Sequence, residues 1–518
     1  MPFHEFKGRY NVSVRDAAFD GRLVAFGYLY LTTQNILSTL IGVLGYAFLT
    51  RSLRQVEVGA IAGLTLLATL FQLLSDFGLS SSLAKFVSEL RGRGEGSSSY
   101  LLSALIFRFT IASSLSLLLL FFPDRFSTLL FKTAIYSQAI RLLSLDVLLL
   151  SIIPLLNSFL LGAGRLKMVA CCGVASTSFR WVAILLLLLK GFGLLGVVLG
   201  WVIGDLLAVI LYSISVVRSG ALGSITLNIS ETLSKLLRFS TPLYAAALVG
   251  FLYTYFDKAV VLALLPLSDV GVYDVALRVF SVLVAFTTPL ASALFPYYGS
   301  AYGRSEHDLV SSAITRASKY SALIFSPLAL GLFSTSRPVI TLFAGQQYES
   351  GYTVLSILSI FALVYTISPV FSNLLLIYGK TLTILLLSLI PVAVSLSTIP
   401  LIWYLGLNGL ALMKGLSILI GFTLSLYVLS GVVKIRLNRL ALLKIYSSSA
   451  IMALTILVTE HIYYSRFLLP LYIALGGAVY ILSLRFLKVI DEQDLTLLNQ
   501  VFGAKIGSII SKALYHAR

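Results

Sequence analysis

The sequence predicts an all-α polytopic membrane protein of about 14 transmembrane helices, two pseudo-symmetric six-helix lobes followed by two C-terminal helices. Three observations predict it. Hydrophobic residues make up 58% of the 518 residues and charged residues only 11%, with a mean hydropathy of +0.96; a soluble domain carries about 25% charged residues. Apolar runs of roughly 20 residues, the length that crosses a bilayer, recur from end to end. Lys and Arg collect in alternate connections, 25 on one side against 8 on the other.

The charge bias fixes the expected orientation. Basic residues stay in the cytoplasm, so both termini are expected there, in a multi-pass protein of the cell membrane. The same rule accounts for the net charge of +17, so no nucleic-acid partner is expected. No stretch alternates as barrel strands do.

The elements follow in order. Residues 1–22 carry Lys7, Arg9, Arg15 and Arg22 with no apolar run between them, which excludes a cleavable signal and suggests a cytoplasmic amphipathic lead-in. The spans are read at 23–49, 57–79, 100–122, 142–162, 167–189, 193–217, 240–265, 270–298, 316–336, 352–378, 381–403, 406–430, 444–462 and 466–486. They divide into a first lobe at 23–217, a cytoplasmic linker at 218–239, a second lobe at 240–430, two further spans within 431–486 and a cytoplasmic tail at 487–518. The longest cytoplasmic connections are 80–99, 218–239 and 299–319. In the linker, Ser224–Phe239 spaces its apolar residues helically beside Lys235 and Arg238, and should lie along the membrane face before the seventh span. Cys171 and Cys172 are adjacent in an apolar run, so they point apart and do not suit a disulfide.

The two lobes read as copies. Glu57-Val-Gly59 opens the second span and Asp269-Val-Gly271 the eighth, 212 positions later. Pro154 with Gly164-Arg165 closes the fourth as Pro369 with Gly379-Lys380 closes the tenth; Gly193-Leu-Leu-Gly196 and Gly406-Leu-Asn-Gly409 open the sixth and twelfth. Six spans per copy is even, so the copies share one orientation, and a binding site is expected between them near the midplane.

Charges within the spans point to that site. Asp257, Lys258, Asp274 and Arg278 lie in the hairpin of spans seven and eight, and each costs on the order of 2.5–3.5 kcal/mol near the bilayer centre unless it meets a partner or water. Arg108, Arg180 and Lys414, and Asp76 and Asp205, complete a count of five basic against four acidic groups. Asp274 and Arg278 are four apart and suit an intrahelical pair. Asp257 and Lys258 diverge by about 100° on a helix, so a salt bridge to a neighbouring helix competes with a role toward substrate or coupling ion. Arg180 and Asp205 sit at comparable depth and suit each other, Asp205 also serving as a gate or coupling candidate. Arg108 can snorkel to the cytoplasmic interface. Asp76 suits a cap, a pair with Lys85, or a gate. Thr32, Thr33, Gln34 and Asn35 form a polar step in the first span that needs water, a ligand or another helix.

Several of these stretches resemble a known family. Val56-Glu57-Val58-Gly59, then Leu74-Ser75-Asp76-Phe77-Gly78-Leu79-Ser80 and Ala84-Lys85-Phe86, resemble the opening of the polysaccharide transporters, the O-antigen-type flippases of the multidrug/oligosaccharidyl-lipid/polysaccharide exporter superfamily. The hairpin fits through Asp257-Lys258, Val270-Gly271-Val272-Tyr273, Ala276-Leu277-Arg278 and Leu294-Phe295-Pro296. The tail, Asp491-Glu-Gln-Asp494-Leu495, is similar to the acidic segment ending such chains. The resemblance implies a twelve-helix core with two extra helices, alternating access, and a cavity lined by the first, second, seventh and eighth spans. It implies an oligosaccharide on a polyprenyl (pyro)phosphate as cargo, moved from the cytoplasmic to the outer leaflet for cell-surface glycan biosynthesis. Membrane lipids surround the chain; glycan polymerase or glycosyltransferases are its implied partners.

With that cargo, the fork of Arg278, about 10 Å deep in its span, suits a phosphate, and pairing with Asp274 remains the alternative. Asp274, Lys258, Asp257, Asn35, Gln34 and Arg180 are the other cavity candidates, the polar amides suiting either sugar hydroxyls or a neighbouring helix. No catalytic constellation, metal-ligand spacing or Walker pattern occurs, so no enzyme, metal or cofactor is expected, and the coupling ion, H+ or Na+, stays open. A cation-coupled drug exporter is the alternative within the same fold. A membrane glycosyltransferase would need a sizeable outer loop, and those near 123–141 and 337–351 are short.

Overall fold

A computed structural model describes residues 21–222, 229–490 and 494. Every regular element among them is helical. In chain order these are α1 (Gly21–Ser52), α2 (Gln55–Asp76), α3 (Leu79–Arg93), α4 (Ser98–Phe121), α5 (Pro123–Phe131), α6 (Ser137–Gly162), α7 (Leu166–Leu189), α8 (Gly193–Arg218), α9 (Ile229–Leu264) and α10 (Leu267–Ala285). The second part continues with α11 (Thr288–Gly303), α12 (His307–Ser334), α13 (Ser336–Ala344), α14 (Gly351–Phe361), α15 (Ser368–Phe371), α16 (Leu374–Ile377), α17 (Thr381–Ser397), α18 (Pro400–Ser430), α19 (Arg439–Ile462) and α20 (Leu469–Phe486).

Among the described residues ten helical stretches are long and apolar enough to cross a membrane, or twelve if two bent pairs each count as one. The pairs are α12 with α13, bent by 75°, and α14 to α16, bent by 40°. Of the remaining predicted spans, the first falls on α1, whose 32 residues suffice by length, and the eleventh on the shorter apolar α17. Large apolar side chains cover the outside, as with Leu44, Leu129 and Phe486 at 70, 78 and 86% exposure. That is costly in water and ordinary in lipid.

Several predicted boundaries differ, among them the connection read at 299–319, which is mostly the end of α11 and the start of α12. The connection read at 80–99 is mostly α3, which turns off α2 through Phe77 and Gly78, both left-handed, Gly78 at φ 73°. Its Leu79, Leu83, Val87 and Leu90 form one buried stripe against α6. The described part of the linker, from Ile229, is the start of α9 rather than a separate surface helix; residues 223–228 lie outside the described ones. With 36 residues α9 runs about 54 Å, well beyond the ~30 Å hydrocarbon core. The loops near 123–141 and 337–351 contain α5 and α13. The eleventh and twelfth spans part at 398–399, and Gly406, at φ 55°, instead kinks α18. The lead-in at 1–20 and most of the tail lie outside the described residues, although Asp494 of the acidic motif is buried on α12, taking Lys319 at 2.5 Å and Tyr320 at 2.7 Å.

Early helices pack chiefly on one another, α7 on α8, α1 on α7, and α6 on α8 and α4; late helices do likewise, with α19 and α20 docked on α12. Hydroxyls tie late neighbours together, Ser395 to Ser417 and Ser326 to Ser449, each at 2.7 Å. The chief junction across the halves is α2 on α10. There Gly59 faces the Leu267 carbonyl and Gly271 the Gln55 carbonyl so closely that any Cβ would collide. The two glycines that open spans two and eight in the repeat thus meet each other's helix.

A cationic cavity between the two halves

Helix α8 carries Gly196, Gly200 and Gly204, one face of small residues four apart. Added Cβ atoms at Gly200 and Gly204 would strike the backbone of Ile184 and Arg180 on α7. This close approach sets Arg180 beside Asp205 at 3.4 Å, with Asp146 of α6 at 3.9 Å. The guanidinium also covers Trp201 at 5.1 Å from the ring centre. The Arg180–Asp205 pair is the one expected from depth. Asp146 is a further acid within the spans that the sequence count of four omitted; it stands alone in an apolar run, which is the signal that would have found it.

Across from Arg180, Lys258 of α9 pairs with Asp274 of α10 at 2.5 Å, and Tyr46 of α1 donates to the other Asp274 oxygen at 2.5 Å. Asp257 turns the other way, taking Tyr273 at 2.7 Å and Lys414 of α18 at 3.3 Å. The consecutive Asp257 and Lys258 therefore point to separate partners, as their helical divergence requires. Lys414, without a nearby carboxylate in sequence, finds one in space.

Arg278 does not form the intrahelical pair. Lys258 and Tyr46 occupy Asp274, and among the described residues no carboxylate lies within ion-pair distance of Arg278. It is exposed, its guanidinium 4.8 Å from the centre of the Tyr46 ring. A cavity of about 810 Å3 brings these groups together, lined from α1, α2, α7 and α8 on one side and α9, α10 and α18 on the other. Arg180, Lys258, Arg278 and Lys414 face it against Asp257 and Asp274. Its volume lies within the usual range of ligand sites, about 300–1,000 Å3. A second cavity of about 540 Å3 adjoins it through Tyr253, Val284 and Tyr365, apolar apart from scattered hydroxyls.

The remaining sequence candidates lie elsewhere. Gln34 packs against Gly173 of α7 and Asn35 is exposed, and neither lines the cavity. Asp76 takes Arg108 and, at 2.6 Å, the Ser80 hydroxyl. Arg108 is buried rather than snorkelling, and Lys85 pairs with Glu89 instead of Asp76. No cluster of three or more metal-binding side chains occurs among the described residues.

A family model described as polysaccharide biosynthesis protein matches residues 24–301, more than half of the chain. The chain belongs to the polysaccharide biosynthesis protein family. A MatE model matches residues 242–403 of this family member. Among curated proteins, the probable low-salt glycan biosynthesis flippase Agl15 of Haloferax volcanii is 25% identical over 334 residues, 64% of this chain and 67% of the relative. Among solved structures, the lipid II flippase MurJ in an inward closed conformation shares the fold at TM-score 0.72, with 16% identity over 89% of this chain and 98% of that one. An inward-facing multidrug resistance MATE transporter of the MOP superfamily does so at 0.65, with 17% identity over 78% and 98%. This family member thus has the fold of these two membrane proteins, with ten to twelve helical stretches among its described residues long and apolar enough to cross a membrane.

Proposed function

We propose that the chain is a flippase that moves a polyprenyl-(pyro)phosphate-linked oligosaccharide from the cytoplasmic to the outer leaflet of the cell membrane by alternating access. The observation that carries this reading is Arg278, exposed in a cavity between the halves with no carboxylate partner among the described residues. A phosphate crossing a low-dielectric slab needs such a group, because charge-assisted hydrogen bonds replace the water it loses. The isoprenoid tail stays in lipid and needs no carrier. Both termini lie in the cytoplasm on this reading, and glycosyltransferases that build the glycan supply the substrate. The similarity to a probable glycan biosynthesis flippase of Haloferax volcanii supports the class of cargo.

Arg278 serves the phosphate through its bidentate fork, which a lysine cannot reproduce. Arg278→Ala should therefore abolish surface glycan in a strain that depends on this chain, and Arg278→Lys should restore only part. Unchanged glycan in both, with normal protein levels, overturns the assignment. The cation-coupled drug exporter is favoured by the MatE match alone. It requires acids to dominate the cavity, whereas four basic groups face two acids there. Sensitisation to cationic drugs on deletion, without loss of glycan, would decide for it.

A further inference from the structure

Asp146, Arg180 and Asp205 form a cluster that the proposed phosphate role of Arg278 does not use. Asp146 is wholly enclosed, 0% exposed, and neither of its carboxylate oxygens has a hydrogen-bond donor. Asp205 is 4% exposed and its Oδ2 likewise lacks a donor. The two carboxyl groups come from the packed helices α6 and α8, and both face one guanidinium, at 3.9 and 3.4 Å. Two carboxylates with one guanidinium leave one negative charge unbalanced at two buried carboxyl groups, where an unpaired charge is strongly disfavoured.

Other charges do not supply the balance. On α2, Glu57 sits with Arg54, and Asp76 with Arg108 of α4. On α3, Lys85 sits with Glu89. Arg141 on α6, Asp124 and Arg125 on α5, Lys132 after it, and Lys167, Lys190 and Arg218 at the ends of α7 and α8 are exposed. Across the cavity Lys258 is held by Asp274.

We propose that Asp146 and Asp205 bind one proton between them, and that an anionic headgroup reaching Arg180 from the cavity binds together with that proton. Arg180 is the hinge of the linkage, because its side chain is 30% exposed and lines the cavity on one side while holding both acids on the other. An anion that engages the guanidinium weakens its hold on the acid pair. The pair then takes a proton from cavity water, forming an O–H bond on one of the two carboxylates and leaving hydroxide to the buffer. Linkage is reciprocal, so a protonated pair frees Arg180 for the anion. The second half of the proposal rests on the flippase reading; the shared proton does not.

Two measurements on the purified full chain separate the parts. Infrared titration should show a protonated carboxylic acid band near neutral pH that is lost in Asp146→Asn, and lost or shifted in Asp205→Asn. Spectra of wild type and both variants that coincide overturn the shared proton; melting curves identify a variant that has merely unfolded, and the other variant then decides. Calorimetry with farnesyl diphosphate as probe, at a pH just above that at which the infrared band is lost and in two buffers of different ionisation heat, should show uptake of a fraction of a proton. Asp146→Asn should bind the probe with a heat that no longer depends on buffer. Binding to wild type with buffer-independent heat overturns the linkage. Failure of wild type to bind the probe counts against the phosphate-headed cargo and the linkage, while the infrared result still decides the proton site.

Discussion

Arg108 is 1% exposed, an extreme for a guanidinium, and its charge is met by Asp76, with Ser80 accepting a further hydrogen bond at 2.8 Å. Removing one member of such a pair strands the other, at a typical cost of about 3–5 kcal/mol, whereas replacing both by apolar groups is often neutral. Asp76→Ala should accordingly lower the melting temperature sharply, and Asp76→Ala with Arg108→Met should recover most of the loss. A double variant no more stable than the single one would show that the pair does more than neutralise itself. This partnership was not legible in the chain. Asp76 and Arg108 are 32 positions apart, and sequence spacing favours a closer partner such as Lys85, which faces Glu89 instead. Side chains that share a helix face announce themselves by i and i+4; those that meet between helices do not. Asp274 shows the same limit, since its four-residue spacing to Arg278 suggested a pair, and Lys258 and Tyr46 take it instead.

The contact of α2 with α10 depends on two hydrogen atoms where side chains would be. A Cβ on Gly59 would lie 1.9 Å from the Leu267 oxygen, and one on Gly271 2.2 Å from the Gln55 oxygen. Both clashes are with backbone, which cannot step aside as a flexible side chain can. Gly59→Val should force the two helix starts apart and favour the arrangement in which this end of the cavity is open. Cysteines placed at Gln55 and Gln347, whose side chain and backbone now bond, report it: a short bifunctional thiol reagent should join them efficiently in a background with Cys171 and Cys172 replaced, and poorly once Gly59→Val is added. Equal yields would show that the glycines do not govern this junction. The motif positions Glu57-Val-Gly59 and Asp269-Val-Gly271 were visible as a repeat; that the glycines from the two copies oppose each other was not.

The pairing of the halves at this junction leaves the cavity behind it, bounded by α1, α2, α7 and α8 on one side and α9, α10 and α18 on the other. On the proposed flippase reading, alternating access requires the junction to part during each cycle. Joining Gln55→Cys to Gln347→Cys should therefore stop glycan export, and a reducible reagent should let it resume on reduction. Export that continues through a verified cross-link would exclude separation at this end. Gln347 strengthens the expectation, since its amide donates to the carbonyls of Thr50 and Leu53 at 2.9 and 3.0 Å and bridges the halves there.

Composition and hydropathy by themselves determined that the chain is helical and embedded in a membrane, because lipid leaves backbone groups no alternative but to satisfy one another within each span. Motif order determined the family, and the charges in spans seven and eight marked two of the helices that line the cavity, whereas α8 and α18 were not expected among them. Only the tertiary structure decided which charges cancel and which remain available. It matched Lys258 to Asp274, Lys414 to Asp257 and Arg180 to two acids, and left Arg278 facing the cavity. The reason is physical: insertion energies depend on each segment taken alone, whereas ion pairing falls off over a few ångströms and is set by how α7 seats on a glycine stripe and α2 on α10.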